Sequence, residues 1–278
     1  MSDFIYCLNS STIRPTPILD KIRIAGEVGY AAIELWHDDI DLHLSKGGQL
    51  ADIRKAVNDQ GLTVPTTIYV KGWAEPDYAV RQREIDECKR RFAQAAVLGA
   101  IHVISGPPPS LCDRAFVAKC YYELLELGLS FGVRPAFEYL GFVDDINSID
   151  AAIEIVTNSQ HSQATVVLDP FHCFRGGEGF ESIAKLKSEQ IAISHFNDTP
   201  AFPSRTEQHD HSRVMPGDGH LDLRRYLELL RGTGYRRWLS LELFREDLWA
   251  RDPREVAKLG LEKMRAVAEG TYTARGGH

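Results

Sequence analysis

Polar and apolar positions fall into two rhythms that take turns along the chain. Short runs dense in Val, Ile, Leu and aromatic residues are followed by longer stretches in which apolar residues recur every three or four positions. The first rhythm is that of strands and the second that of helices. Strand-like runs occupy residues 3–8 (DFIYCL), 31–36 (AAIELW), 62–70 (LTVPTTIYV), 100–105 (AIHVIS), 133–140 (VRPAFEYL), 164–169 (ATVVLD), 191–196 (IAISHF) and 236–244 (RRWLSLELF). Helical spacing predicts helices over 17–30, 48–60, about 76–98, 112–131, 149–159, 221–235 and 253–270, with a shorter one around 180–187. Gly29, Gly61 and Gly99 mark three helix ends, and Asn147 or Ser148 caps the helix that starts at 149.

The strand-like runs do not alternate, so burial on both faces is expected, as in a parallel sheet. Eight strand-then-helix units of about 35 residues each predict an α/β fold, a (β/α)8 TIM barrel, rather than a doubly wound sheet. No Pro- or Ser-rich linker divides the chain, so residues 1–278 read as one domain. A long loop spans about 198–220, and the final TYTARGGH reads as a frayed end.

Composition narrows the function classes. With 44% hydrophobic and 26% charged residues the chain can bury a sizeable core. Its net charge of -7 repels a phosphate backbone, so no nucleic-acid partner is expected. The five cysteines are odd in number and show no C-x-x-C spacing, which reads as reduced thiols in a cytoplasmic protein. The start, MSDFIYCLNS, has no basic region, and no window approaches the roughly 20 apolar residues of a membrane span.

Candidate chemistry sits at the ends of the last four strand-like runs. These end in Glu138, Asp169, His195 and Glu242, at spacings of 31, 26 and 47 residues. The last gap is long because the 198–220 loop lies inside it. Singly, each residue has an ordinary explanation: a solvated rim glutamate, an Asp-Pro turn, a structural histidine. Four at equivalent positions on consecutive strands are harder to explain that way, because a barrel places its active site at that end. Three carboxylates and one imidazole suit one divalent metal ion, Mn²⁺, Mg²⁺, Co²⁺ or Zn²⁺. His172, three residues after Asp169, and Arg213, in SRVMPGDG, can reach the same place and suit the oxygens of a polyol or keto-sugar. Their plainer role would be to brace loops. Glu34, at the end of the second run, could touch the site, but a structural network is the plainer reading. His209, Asp210 and His211 read as a solvated loop, and His102 as a packed histidine. Gly176, Gly177 and Gly179 lack both the G-x-G-x-x-G form and a P-loop lysine, so no nucleotide site is read there.

The stretches FEYLG, IDAAIEIV, VVLDPFHCFRGG, FESIAKLK, HFNDTPAFP, RVMPGDGHLDL and LSLELFRED resemble the xylose isomerase-like TIM-barrel superfamily of sugar isomerases and epimerases. They cover residues 137–247 nearly continuously, and GYAAIELW adds one distinctive piece in the first half. Within the superfamily the texture is most similar to the inosose isomerases, which act on 2-keto-myo-inositol. The resemblance implies that Glu138, Asp169, His195 and Glu242 hold one divalent metal. It implies substrate contacts for His172 and Arg213, and catalytic proton transfer by Glu138 and Glu242 on opposite faces of the substrate carbon. The partner would be a small keto-sugar or polyol, and pairing into a homo-oligomer is expected by analogy. The same α-proton chemistry leaves a lyase or dehydratase open. A non-catalytic sugar-binding barrel would not need two proton carriers. An endonuclease IV-like hydrolase needs extra histidine ligands, but Ser105 ends strand four and Arg213 stands near one of the expected positions.

Overall fold

The computed structural model describes residues 3–270. Eight parallel strands close into a barrel in sequence order. They are β1 (Ile5–Asn9), β2 (Ala32–Trp36), β3 (Thr66–Val70), β4 (His102–Ser105), β5 (Arg134–Glu138), β6 (Val166–Leu168), β7 (Ile191–His195) and β8 (Trp238–Leu241). β8 pairs with β1, Ile5 opposite Trp238, and this closes the ring. The expected single-domain (β/α)8 barrel is therefore the observed fold. The end read as frayed, residues 271–278, lies outside the described residues. Among the described residues no helix is long and apolar enough to cross a membrane.

The strands do not alternate in sequence because both of their faces are buried. Cys7, Ala32, Ile68, Ile104, Ala136, Val167, Ile193 and Trp238 fill the barrel interior. The residues between them, such as Leu8, Ile33, Val103, Phe137, Val166 and Leu239, pack outward against the helices. Strand side chains repeat with period two. A residue two places beyond an interior residue therefore points to the barrel axis as well, one layer nearer the C-terminal mouth. That rule carries Ala136 to Glu138, Val167 to Asp169, Ile193 to His195 and Ala32 to Glu34.

The outer layer comprises α1 (Ile18–Val28), α2 (His37–Ser45), α3 (Leu50–Asp59), α4 (Tyr78–Leu98), α5 (Arg114–Ser130), α6 (Ile149–Asn158), α7 (Pro170–Gly176), α8 (Leu223–Gly232), α9 (Glu246–Trp249) and α10 (Pro253–Ala268). Of the two cap candidates before α6, Ser148 takes the role and accepts from the Ala151 N–H at 3.1 Å. Asp77 caps α4, and Gly99 ends it in the left-handed region at φ 71°.

Three elements differ from the sequence expectation. The helix expected around 180–187 is a short 3-10 turn, Glu181–Lys185. The helical segment after β6 is instead α7, which opens on the Asp-Pro pair. Asp169 caps it through the Phe171 and His172 N–H groups, Pro170 occupies its first turn, and Gly177 ends it at φ 92°. Seven residues are too few for a period to show. The third is α2, whose first turn carries Asp38 and Asp39 and which buries only His37 and Ile40, so its apolar stripe is faint.

The 198–220 loop folds back on its own stem. The Asp198 carboxylate accepts from the backbone N–H groups of Thr199, Gly217, Gly219 and Leu221, each within about 3 Å. A Cβ on Gly219 would lie 2.2 Å from the Asp198 carboxylate oxygen. The PGDG turn is thus shaped to wrap that carboxylate, and it delivers Arg213 to the barrel mouth. The barrel's interior layers carry the fold. Ile104→Ala, at a fully buried interior position, is expected to lower unfolding free energy by about 2–5 kcal/mol, read from the urea midpoint.

Candidate metal centre

Glu138 and His195 end β5 and β7, whereas Asp169 and Glu242 follow the last residues of β6 and β8. Their side chains converge on the axis at the C-terminal mouth. His195 Nδ1 lies 3.1 Å from Glu138 Oε1, 3.2 Å from Glu242 Oε2 and 3.5 Å from Asp169 Oδ2. All four residues are buried. A single ring nitrogen cannot bond three carboxylates. Both His195 nitrogens and Glu138 Oε1 are in fact buried without a hydrogen-bond partner. Two overlapping sets, Glu138–Asp169–His172 and Asp169–His195–Glu242, have ligand-type atoms within 4.8 Å of one another. Among the described residues no other His, Cys, Asp and Glu side chains converge this closely. The donor set fits a divalent cation that prefers oxygen with one nitrogen.

Electrostatics point the same way. Burial, with the Glu138 and Asp169 carboxylates beside it, pushes the Glu242 carboxyl up to about 8. Burial works against charge on His195, yet Glu242, Glu34 and Glu138 together hold its imidazole well above the ordinary value. Burial also opposes ionisation of Asp169, but the Arg213 guanidinium and the two histidines outweigh it and hold that carboxyl well below the usual range. A buried carboxyl forced up by neighbouring carboxylates, as Glu242 is, marks negative charge that is not fully compensated at that point. A bound cation would compensate it.

His172 and Arg213 join the cluster as the sequence reading proposed. Arg213 is 1% exposed. It reaches Asp169 Oδ2 at 3.0 Å, lies 3.5 Å from Glu242 Oε2 and pairs with Asp210 on its other side. Its guanidinium stacks between Phe171 and Phe244, 4.3 and 5.3 Å from their ring centres. His172 Nδ1 accepts from the Gly141 N–H at 3.2 Å, which puts the ring proton on Nε2. That nitrogen lies 3.1 Å from Arg213 Nη2. Arg213 Nη2 already donates to Asp169, so of these two adjacent donors the His172 Nε2–H is the one left to seek an acceptor, and an oxygen entering the pocket would supply it. Burial, reinforced by Arg213, lowers the His172 pKa and favours the neutral ring.

Three contributors lie outside the six residues read from the sequence as the site. Glu34 does belong to a network, accepting from Thr66, Ser240 and Asn9, but it also stands 3.4 Å from His195 Nε2, on the side of the ring away from the carboxylates. A carboxylate there fixes a ligand histidine's tautomer and orientation. Asn9 bridges the two layers, donating to Glu34 at 3.1 Å and Glu242 at 3.0 Å. Asp210, expected to be solvated, is Arg213's second partner. His209 and His211 are exposed as expected. His102 is packed at the opposite end of the barrel, where burial holds it near 3. Position two beyond a barrel-filling residue would have flagged Glu34 and Asn9. No comparable signal marked Asp210.

Above the cluster lies a chamber of about 480 Å³, walled by Trp36, Tyr69, Phe142, Phe244 and Trp249, with Arg14 at its edge. A larger groove of about 670 Å³ runs beside α8 and α10, but no group of convergent ligand-type side chains lines it. The chemistry belongs to the smaller chamber, which joins a charged floor to aromatic walls.

A closed parallel barrel with a buried acid and histidine cluster at its strand ends is the layout of a barrel enzyme working on small molecules. More particularly, the chain belongs to the xylose isomerase-like TIM barrel family, whose model matches residues 22–267. An inosose isomerase from Bacillus velezensis is 26% identical over 274 residues, spanning 94% of this chain and 96% of that protein. A 3-dehydroshikimate dehydratase from Pseudomonas aeruginosa is 26% identical over 259 residues, which cover 91% of this chain but only 40% of the dehydratase. A crystal structure of the IolI protein with a bound zinc atom superposes with a TM-score of 0.89 at 23% identity, covering 98% of this chain and all of that one.

Removing the cation that Asp169 and Asp210 share should be costly. In chelator-treated protein, Arg213→Ala is expected to lower stability by about 3–5 kcal/mol in urea unfolding, because it leaves a buried carboxylate uncompensated.

Proposed function

We propose that this protein is a divalent-metal-dependent isomerase or epimerase acting on a keto-sugar or keto-inositol, moving a proton at the carbon next to a carbonyl. The observation that carries this reading is the convergence of Glu138, Asp169 and Glu242 on one face of His195 beneath an aromatic chamber. Full-length similarity to an inosose isomerase supports an isomerase-type enzyme, and the zinc-bearing structural neighbour supports the metal. Glu138, Asp169, His195 through Nδ1, and Glu242 would hold one Mn²⁺, Mg²⁺, Co²⁺ or Zn²⁺, which would polarise the substrate's carbonyl and hydroxyl oxygens.

The chain's own residues supply the rest. Glu138 and Glu242 enter from β5 and β8, so one can take the C–H proton and the other return it. The paired donors His172 Nε2 and Arg213 Nη2 hold a substrate oxygen and the charge that develops on it. The aromatic walls bury the ring's apolar face and exclude water. Glu34 acts through His195 as a positioning residue.

The dehydratase similarity favours one further reading, in which the same proton abstraction is followed by loss of water. No such observation favours a nuclease. Among the described residues the ligand groups form a single merged cluster rather than a three-metal array.

Elemental analysis is expected to find one divalent metal per chain, lost in Asp169→Ala and His195→Ala. Glu34→Gln should weaken metal affinity by about 10–100-fold in a chelator competition. With metal bound, NMR in D₂O should show deuterium entering next to the carbonyl of 2-keto-myo-inositol or a ketose. At saturating metal, Glu138→Gln and Glu242→Gln should each slow that exchange by about 10²–10⁴-fold. A conjugated, dehydrated product would select the dehydratase reading. A chain that takes up no metal after Mn²⁺, Co²⁺ or Zn²⁺ is added back would overturn both readings.

A further inference from the structure

The reaction chamber is one part of a longer groove. A second cavity of about 470 Å³ lies against it, and the two share Tyr69, Gly106, Leu140 and Phe142. A third, of about 410 Å³, shares Ala74, Glu75, Pro108 and Pro109 with the second and ends at Leu111, which is 79% exposed. The groove therefore leaves the metal centre and crosses the loops that follow β3, β4 and β5.

The proposed reaction leaves the second cavity without an occupant. At about 30 Å³ of liquid per water, the first chamber alone equals about sixteen waters, enough for one six-membered ring with its hydroxyls. The second cavity is also built to stay open. Trp73, 1% exposed, is pinned as a wall by its Nε1–H bond to the Gly106 carbonyl at 3.0 Å. Pro107, Pro108 and Pro109 stiffen the loop beyond it and offer no N–H groups. Gly106 borders both cavities beside the Tyr69 ring. Charged groups, Lys71, Glu75 and Glu84, also border this cavity, but its aromatic and proline walls suit a flat, weakly polar group.

We propose that the substrate is a two-part molecule: a keto-sugar or keto-cyclitol ring over Glu138 and Glu242, joined through a glycosidic oxygen to an aryl group that fills the second cavity. This rests on the first chamber being the reaction site. Covalent chemistry stays in the first chamber, and the second supplies binding alone.

Phenyl and methyl glycosides of one keto-sugar test it with the metal-loaded protein. Calorimetry should give the phenyl compound about tenfold or more tighter binding, and its α-proton exchange in D₂O should gain similarly in kcat/KM. Glu75→Trp obstructs the second cavity from a partly exposed position with no side-chain role in the first. It should erase the phenyl advantage and leave exchange on the methyl glycoside unchanged. Equal binding of the two glycosides, or an advantage that survives Glu75→Trp in a protein with unchanged circular dichroism, would overturn the second cavity as a substrate subsite. Absence of exchange on both glycosides, despite a phenyl preference in binding, would instead overturn the reaction reading.

Discussion

Three buried carboxylates held within about 3.5 Å of one imidazole nitrogen form the constraint around which this molecule is arranged. Like charges at such distances in a medium of low dielectric repel strongly, and burial makes each harder to ionise. Much of the surrounding structure holds them there. Arg213 answers Asp169, Asp210 steadies Arg213, Asn9 ties Glu242 to Glu34, and Glu34 stands behind His195. Asp169, Glu242, Glu34 and Arg213 are each held by a bonded neighbour, whereas Glu138 Oε1 and both His195 nitrogens are left without one. The geometry resembles a socket for a cation more than it does a self-sufficient ion-pair network, because the unpartnered His195 Nδ1 and Glu138 Oε1 face the same point as the Asp169 and Glu242 carboxylates.

The barrel makes that arrangement inexpensive in sequence. Period-two geometry places the residue two beyond Ala136 and Ala32 in the mouth layer, so β5 and β2 present Glu138 and Glu34 by regular pairing. β7 presents His195 the same way from Ile193, after a register shift between Ile191 and Ile193. The same interior residues that stabilise the barrel therefore aim the chemistry. The loop that brings Arg213 needs more help. It is long, and its path depends on one buried carboxylate, Asp198, wrapped by the backbone of a PGDG turn. A loop of this length without such an anchor would pay the entropy of ordering Arg213 at every binding event.

The sequence made the fold and the six convergent residues legible because both follow from regular rules. Eight strand-then-helix units and ligand-type residues at strand ends are local patterns. What stayed hidden was non-local or short. α7 is seven residues long and begins on an Asp-Pro pair that equally signals a turn. α2 buries too little to show a stripe. Asp210 looked solvated because a pair three residues apart in a polar loop reads as an ordinary surface contact; its carboxylate does stay half exposed, and only the fold buries the Arg213 end of the pair. Glu34 was seen as a network residue, and it is one, but its contact with His195 spans 161 positions and only the closed barrel brings the two together.

The chain divides its work between halves. β5 to β8 supply Glu138, Asp169, His195, Glu242 and, through their loops, His172 and Arg213. The first half supplies the Glu34 and Asn9 support and, around the chamber and its extension, Trp36 and Tyr69 at the C-terminal ends of β2 and β3 with Arg14 and Trp73 in the loops after β1 and β3. A proton-transfer centre tolerates little change, since its ligand distances and charges are coupled. Trp36 is tied to that centre, its Nε1–H donating to Asn9 Oδ1 at 2.9 Å, but Tyr69 and Trp73 are held by packing and by the Gly106 carbonyl, so that part of the wall can be rebuilt around a different substrate without disturbing the centre. That separation gives a physical reason for the family-like motifs to crowd into residues 137–247. The same reason explains why the substrate of this chain has to be sought in Trp36, Tyr69, Trp73 and the triple-proline loop rather than in the metal ligands.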